Sequence, residues 1–156
     1  MLFLLFQLGQ DRYALDCLQI AAVLPLVDIK PIPQAPSGIA GIFNYHGAPV
    51  PAIDLSLLTL GRPAQPRLST RVILVNYPDP GLGAERHLLG LIAEGATEIL
   101  RREAADFTTS GVTNSAAPYL GPVTTHAHGL VQWVHVERLL PASVCDVLFR
   151  QPLELS

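Results

Sequence analysis

The chain opens with a stretch in which apolar side chains fill both alternating sets of positions. Leu2 to Leu8 contains Gln7 as its one polar residue, which predicts a strand that is buried on both faces. The turn residues Gly9 to Asp11 and the following Arg12 to Leu15 predict an antiparallel return strand. We therefore expect the chain to begin with a β-hairpin.

The next segment has apolar residues at helical spacing. Asp16 is a suitable N-cap, and the apolar positions after it predict one buried helix face. Pro25 would end the helix. We therefore predict a short helix before Pro25, with an apolar face formed by Cys17, Ile20, Ala21 and Leu24.

The central stretch, Pro36 to Gly61, predicts a second hairpin. Gly47 can adopt the positive φ that a turn at Tyr45-His46-Gly47 requires. Pro49 and Pro51 lie two residues apart and lack an N–H on the same side of the second strand. That strand should therefore be an edge, or be bulged away from its neighbours.

A short helix after this hairpin is predicted from its two ends. The Asp54 carboxylate can accept hydrogen bonds from the first N–H groups of Leu55 to Leu58, and Gly61 can end the helix. A catalytic function of Asp54 is the alternative, and we favour the cap. We interpret the whole stretch as a surface that another molecule binds.

The second half of the chain predicts further short strands and two short helices. Gly95 predicts a bulge or bend between two of the strands. The predicted strands are Arg71 to Tyr77, His87 to Ala93, Ala96 to Leu100, Tyr119 to Thr124 and Gly129 to Val134, and the helices are His135 to Leu140 and Pro141 to about Phe149.

The two hairpins share a spacing that indicates an internal repeat. Gly47 precedes Leu57 and Leu58 by ten and eleven residues, and Gly129 precedes Leu139 and Leu140 by the same offsets. The sequence therefore predicts a mainly β protein of two small barrel lobes around a shared core, with short helices. We expect one domain over residues 1–156, in which about 141–156 form the last helix and a tail.

Composition and charge restrict the classes of function. The chain is 49% hydrophobic and 15% charged, which supports a folded core and leaves apolar surface for a protein partner. The net charge of −3 and the dispersed basic residues argue against a nucleic-acid partner. The apolar N-terminal run is too short to span a bilayer and lacks a basic start, so we expect no signal peptide and no membrane insertion.

The two cysteines bear on the compartment. Cys17 and Cys145 have no metal-type spacing, and two thiols in a chain of 156 residues suit a reducing cytoplasm. A disulfide between them remains open. We predict a cytoplasmic protein.

The sharpest metal-like pattern is His126-Ala127-His128. On a strand both imidazoles would face one side and could supply two zinc ligands, and the third would have to come from His87 or His135. Two exposed histidines in a polar turn are the alternative that we favour. We therefore expect no metal and no cofactor.

No residue pattern supports an enzyme. His46 would need a nucleophile or an acid nearby to act as a general base, and we interpret it as a residue that faces solvent or a partner. The sequence has no nucleophile elbow, P-loop, kinase signature or Cys-x-x-Cys pair. We predict that the protein is not an enzyme and has no catalytic residues.

Five aromatic residues leave a second hypothesis open. Small barrels can bind oligonucleotides through aromatic rings on which the bases stack. The acidic charge balance argues against this use, and packing in the core is the alternative that we favour. A small-ligand or oligonucleotide-binding β-barrel nevertheless stays the second hypothesis, and its candidate platform is Tyr13, Phe43, Tyr45, Tyr77 and Trp133.

Several segments of the chain resemble, in the same order, the CheW-like family. The resemblance runs from Phe3 to about Pro141, and its central block follows the pattern PxaPxxIxGixNxxGxxxPxiDL, which is not a general strand pattern. The segments are FQLGQDRYALDCLQIAAVLP, PIPQAPSGIAGIFNYHGAPVPAIDLSLL, STRVILV, LLGLIAE, YLGPV and GLVQWVHVERLLP.

This resemblance implies both a fold and a function. CheW-like proteins are non-catalytic couplers of bacterial chemosensory arrays, with two SH3-like, five-stranded β-barrel lobes around a shared core. It implies a scaffold or adaptor in chemotaxis or chemosensory signal transduction. Its implied partners are the regulatory domain of a CheA-type histidine kinase and the cytoplasmic tip of a methyl-accepting chemoreceptor.

Residue by residue, the family's turn falls on Asn44 and Gly47, and its helix start falls on Asp54 and Leu55. The family usually has arginine, a residue tied to array contacts, where this chain has His46. It usually has aspartate at the start of the late helix, where this chain has His135. Histidine is shorter than arginine and cannot form its bidentate hydrogen bonds, so the resemblance implies an altered partner surface. A specialised system, such as one for surface sensing or second-messenger output, would fit this change.

Two regions are predicted as partner contacts. The groove between the lobes would take a helical receptor hairpin, and exposed barrel edges would meet the homologous barrel of the kinase. The alternative is a function in folding alone, since asparagine suits a turn and isoleucine suits a core. The predicted contacts are the hairpin tip (Asn44, Tyr45 and His46) and the predicted helix with Ile20, Val23 and Leu24.

Overall fold

A computed structural model describes residues 1–78, 86–111, 115–127 and 129–149 of the chain. Strands dominate these residues, and the helices are short. The strands are β1 (Leu2–Leu8), β2 (Asp11–Asp16), β3 (Ile20–Pro25), β4 (Ile39–Tyr45), β5 (Ala48–Asp54), β6 (Arg71–Pro78), β7 (Arg86–Arg101), β8 (Leu120–His126) and β9 (Gly129–Val134). The α-helices are α1 (Leu55–Leu60) and α2 (Ala142–Phe149), and the 3-10 helices are Cys17–Gln19, Ala104–Asp106 and Val136–Arg138.

One long strand, β7, connects two five-stranded halves of the sheet. Its first part pairs with β6, and its second part pairs with β1. The A half has the strand order β7-β1-β2-β9-β8, and the B half has the order β3-β6-β7-β5-β4. The predicted mainly β class is therefore confirmed.

The bulge predicted at Gly95 lies where β7 passes from one half to the other. Gly95 has a φ of +61°, and the register between β1 and β7 shifts between Leu5 and Gln7. Because a glycine in the left-handed region lets a strand bend without ending, β7 is one strand of 16 residues. The prediction of two separate strands here is wrong.

The barrels expected from the sequence do not close through strand ladders in the described residues. Instead, one backbone bridge joins the open sides of each half. In the B half, the N–H of Lys30 donates to Ile42 O at 2.8 Å and the N–H of Ile42 to Lys30 O at 2.9 Å. In the A half, Thr108 and Val123 exchange two such bonds of 2.8 Å. We name these bridges the B seam and the A seam. In each seam, the bridging residue lies in the segment after an outer strand and not in the strand itself: Lys30 follows β3, and Thr108 follows β7.

Three clusters of buried apolar side chains form the core. The central cluster takes side chains from both halves, among them Phe6, Ile53 and Val136. A second cluster around Phe3 lies within the A half, and a third around Phe43 lies within the B half. Because apolar burial contributes about 25 cal/mol per Å², the central cluster holds the two halves together.

The helix predicted before Pro25 is wrong. The Asp16 carboxylate does accept a hydrogen bond from the N–H of Leu18 at 3.0 Å, but only the 3-10 helix Cys17–Gln19 follows it. Residues Ile20–Pro25 form β3, which pairs antiparallel with β6. A short uncharged apolar run fits a helix face and a strand equally well, and pairing with a strand distant in sequence decides between them.

Candidate partner-binding surface

The β4–β5 hairpin ends in a two-residue turn at the surface. His46 and Gly47 have φ values of +51° and +89°, as a type I′ turn requires. The Asn44 side-chain Oδ1 accepts a hydrogen bond from the N–H of Gly47 at 2.8 Å. The spacing of asparagine and glycine therefore defines the conformation of the tip.

Two aromatic rings lie at this tip. Tyr45 and His46 stack with 4.2 Å between ring centroids and 14° between ring planes. Tyr45 packs partly against the B-half core, whereas His46 is exposed. The core thus supports a flat ring surface that faces solvent.

The first part of β5 is an edge, as its two prolines predict. Pro49 lies opposite Asn44 and Pro51 lies opposite Ile42 on β4. Pairing with β7 begins only at Ala52. Because proline has no N–H, this side of the hairpin cannot be extended by another strand, and a partner would contact it through side chains.

Two cavities flank the hairpin. One of about 540 Å³ lies between β4 and the residues that precede the B seam, and Asp28 and Lys30 are charged groups in its lining. Its other lining residues are Ile29, Ile42, Phe43, Asn44, Gly47 and Pro49. A second cavity of about 190 Å³ shares Ile42 and Pro49 with the first. We name the second the apolar groove, and its remaining lining residues are Ile32, Ala35, Ile39, Pro51, Val147 and Leu148.

The residues predicted as a contact helix lie on β3 instead. Ile20 and Leu24 are half-buried against core clusters, whereas Val23 is 45% exposed. β3 and β4 are the two outer strands of the B half, so the structure places these residues and the hairpin tip on different edges.

Sequence reasoning missed several exposed residues near these edges. Leu18 is 86% exposed and Leu26 is 38% exposed. The sequence did contain a signal for these exposed apolar residues, because no charged residue occurs from Cys17 to Val27. It also missed Asp28 and Lys30, because the pairing of Lys30 with β4 has no local pattern that predicts it.

Asp54 is the N-cap of α1. Its Oδ1 accepts from the N–H of Leu57 at 3.1 Å, and its Oδ2 accepts from the N–H of Ala64 at 2.9 Å. Gly61 ends the helix with a φ of +77°. Both carboxylate oxygens of Asp54 therefore bind backbone, in a side chain that is 6% exposed.

The histidines considered as metal ligands have other contacts. His126 Nε2 lies 3.0 Å from Glu98 Oε2, and His128 lies outside the described residues. His87 stacks on Phe149, and His135 contacts Trp133. In the part of the chain that the structure describes, no three His, Cys, Asp or Glu side chains gather as a metal site would require.

Comparison with known proteins gives the family. The sequence model of the CheW-like domain matches residues 2–144 of this chain. The chain belongs to the CheW-like family.

Similar proteins carry the CheW name. The chemotaxis protein CheW of Klebsiella aerogenes is 25% identical over 144 residues, which are 88% of this chain and 80% of that protein. The one from Treponema pallidum is 38% identical over 50 residues, 32% of this chain and 29% of that protein. The crystal structure of the scaffolding protein TtCheW from Thermoanaerobacter tengcongensis matches with a TM-score of 0.77 at 23% identity, over 92% of this chain and 89% of that one. This last match shows a common fold.

The structure describes both histidines at which the resemblance implies a departure from the usual family residues. His46 is exposed at the hairpin tip. His135 precedes the 3-10 helix Val136–Arg138 and makes no side-chain cap bond, and burial lowers its pKa. Among the helices of the described ranges, none has the length and apolar character needed to cross a bilayer.

Proposed function

We propose that this protein is a non-catalytic adaptor that couples chemoreceptors to a CheA-type histidine kinase in a bacterial chemosensory system. A CheW-like domain over residues 2–144 supports an adaptor function in chemotaxis. The observation that carries the proposal is the exposed Tyr45–His46 stack on a hairpin whose backbone edge is blocked by prolines. Both partners would place the protein in the cytoplasm.

The non-catalytic part of the proposal is supported by the contacts of the candidate acid–base residues. Asp54 uses both carboxylate oxygens to hold backbone N–H groups. His126 lies against Glu98 on β7, the opposite outer strand of the A half. These side chains have functions in the fold, and His46 is better suited to contact a partner.

The hairpin tip is the proposed kinase contact. The Tyr45–His46 stack offers an apolar ring face, and the adjacent cavity offers Phe43 and Ile29 between the charges of Asp28 and Lys30. Aromatic residues beside a partly apolar cavity are typical of the centre of a protein interface. We propose that a barrel edge of the kinase's regulatory domain covers this tip.

The apolar groove between the hairpin and α2 is the proposed receptor contact. Ile39, Ile42 and Pro51 line one side, and Val147 of α2 lines the other. A helix that presents apolar side chains at i, i+3 and i+4 fits such a groove. Ile20, Val23 and Leu24 stay proposed contacts on β3.

The test is a calorimetric titration of the full chain with the regulatory domain of the CheA-type kinase encoded nearest its gene. His46→Asn removes the stacked ring while keeping a residue that tolerates a positive φ. We expect this change to weaken binding by about tenfold or more, as for a residue near an interface centre. His46→Arg restores the residue usual in the family, and Leu68→Ala, at an exposed loop position, is the matched control.

The outcomes separate the function from the site. Binding that His46→Asn weakens and Leu68→Ala leaves unchanged would support both. Binding that neither variant alters would keep the adaptor function and reject the tip as the contact. Absence of binding to this kinase and to receptor tip fragments would reject the adaptor function, and the ligand-binding barrel would become the leading hypothesis.

A further inference from the structure

The open side of the A half is held by side chains as well as by the A seam. Glu98 on β7 and His126 on β8 belong to the two outer strands of that half, and Glu98 Oε2 lies 3.0 Å from His126 Nε2. The other carboxylate oxygen pairs with the guanidinium of Arg12 on β2. One carboxylate therefore joins three strands, no two of which pair with each other in a ladder in the described residues.

Arg102 adds a second contact across the same gap. Its Nη2 donates to the carbonyl oxygen of Thr125 at 3.1 Å and lies 3.5 Å from His126 Nδ1. A neutral His126 that donates from Nε2 to Glu98 leaves Nδ1 as an acceptor for Arg102, so one tautomer satisfies both contacts. The described charged or titratable side chains that contact this carboxylate are thus Arg12 and His126, and Arg102 contacts His126 in turn.

These contacts cover one end of the A-half core. Because side chains alternate along a strand, Glu98 shares a face of β7 with buried Leu100, and Arg12 shares a face of β2 with buried Ala14. Thr124, two residues before His126 on β8, is also buried. Movement of the β8–β9 hairpin away from β7 would therefore bring water to the cluster around Phe3.

The B half lacks this arrangement among its described residues. Lys30 and Ile42 form its seam, and no ion pair between described residues crosses there. The tip rings of Tyr45 and His46 stack on each other. Within the described ranges, the two halves thus have the same backbone bridge, and a carboxylate network lies beside the bridge of the A half alone.

We propose that Glu98 controls the opening of the β8–β9 hairpin from β7, so that loss of its charge frees this hairpin while the rest of the domain stays folded. The hydrogen bond with His126 and the nearby Arg12 lower the pKa of Glu98. The carboxylate therefore remains charged over the usual working range of pH, and opening requires either stronger acid or a partner that displaces His126 or Arg12.

The test is amide hydrogen exchange on the full chain at pH 7, wild type against Glu98→Gln. The amides of Thr108 and Val123 report opening directly, because each donates across the A seam. We expect both to exchange about tenfold faster in Glu98→Gln, since a charge-assisted contact is lost. The amides of Lys30 and Ile42 in the B seam are the reference within the same sample and should keep their wild-type rates.

Two further variants make the test specific. Glu94→Gln removes a carboxylate on the same strand that accepts from the N–H of Gln65 at 3.0 Å, and it should leave the A-seam rates unchanged. His126→Gln should reproduce the Glu98→Gln effect, and the double variant should add nothing to it. If Glu98→Gln does not fold, His126→Gln decides alone. Wild-type rates at Thr108 and Val123, or equal acceleration at both seams, would overturn the proposal.

Discussion

The two hairpins of this domain have the same order of strands and helix but different side-chain contacts near their tips. The B unit consists of β4, β5 and α1, and the A unit consists of β8, β9 and the 3-10 helix Val136–Arg138. The second strand of each hairpin pairs in parallel with an inner strand, β5 with β7 and β9 with β2. The first strand of each hairpin takes part in one seam: β4 pairs with Lys30 in the B seam, and β8 pairs with Thr108 in the A seam.

The side chains at the two tips separate the units. His46 in the B unit stacks on Tyr45 and is exposed. His126 in the A unit contacts Glu98 on the opposite outer strand. The backbone plan is repeated, but the histidine at one tip faces solvent, whereas the histidine near the other contacts a strand of its own half.

The helices that follow the hairpins also differ. α1 has six residues, an N-cap with two hydrogen bonds at Asp54, and a left-handed end at Gly61. The A unit has only three helical residues after His135, which makes no side-chain cap bond. The longer helix therefore has a side-chain cap at its start and a left-handed glycine at its end, and the shorter one has neither.

Replacement of the two cap residues should give the largest difference between the units. Asp54→Ala removes a nearly buried carboxylate and leaves two backbone N–H groups without their acceptor. We expect it to lower the free energy of unfolding by about 2 kcal/mol, the upper end for an N-cap. His135→Ala should cost less than about 1 kcal/mol, since no cap bond is lost. Urea unfolding of both variants measures the difference.

Asp54→Asn is the matched control for that pair. It keeps an oxygen that can accept from Leu57 and loses the charge, so its free energy of unfolding should lie between those of wild type and Asp54→Ala. Equal losses for Asp54→Ala and His135→Ala would mean that the two caps do not differ in the way that their hydrogen bonds indicate.

Sequence patterns over a few residues correctly predicted the features that depend on the backbone of those same residues. The bend in β7 follows from Gly95, and the edge character of β5 follows from Pro49 and Pro51, because these residues restrict or free their own backbone. β3 was predicted as a helix because its pairing with β6 joins Ile20 to Val75, which no short window of sequence contains. The cavity beside the tip depends on Lys30 meeting Ile42, and it was missed for the same reason.

The internal repeat was detected from sequence, but one residue out of register. Tyr45 pairs with Ala48 at the end of one hairpin, and His126 pairs with Gly129 at the end of the other. Gly129 therefore corresponds to Ala48 and not to Gly47. The equal spacing of Gly47 and Gly129 from a later pair of leucines indicated the repeat, although the two glycines occupy different positions in their hairpins.

This register predicts a second, smaller difference. Neither Gly47 nor Gly129 has an atom of the described residues within 4 Å of the position that a Cβ would take. Gly47 has a φ of +89°, however, whereas Gly129 lies outside the left-handed region. Gly47→Ala should therefore lower the free energy of unfolding by about 1–2 kcal/mol. Gly129→Ala should change it by less than about 0.5 kcal/mol, as expected for a surface substitution. Thermal or urea unfolding of the pair decides, and similar losses would contradict the register.

The smallest expected difference concerns pH and arises from His135. Burial is the largest cause that lowers its pKa, Arg138 lowers it further, and Glu137, 3.8 Å away, opposes them. The unfolded chain therefore takes up this proton at a higher pH than the folded one, so stability falls as pH decreases through about 6.5 and levels off below the lowered folded value. Above that window His135 is neutral in both the folded and the unfolded chain, so it makes no contribution to the pH dependence of stability.

His135→Gln removes the titrating group, so wild type should lose stability relative to this variant in urea unfolding between pH 7.5 and pH 5. Because the side chain is partly exposed, the effect should be smaller than that of either substitution above, and parallel pH curves for the two proteins would contradict it.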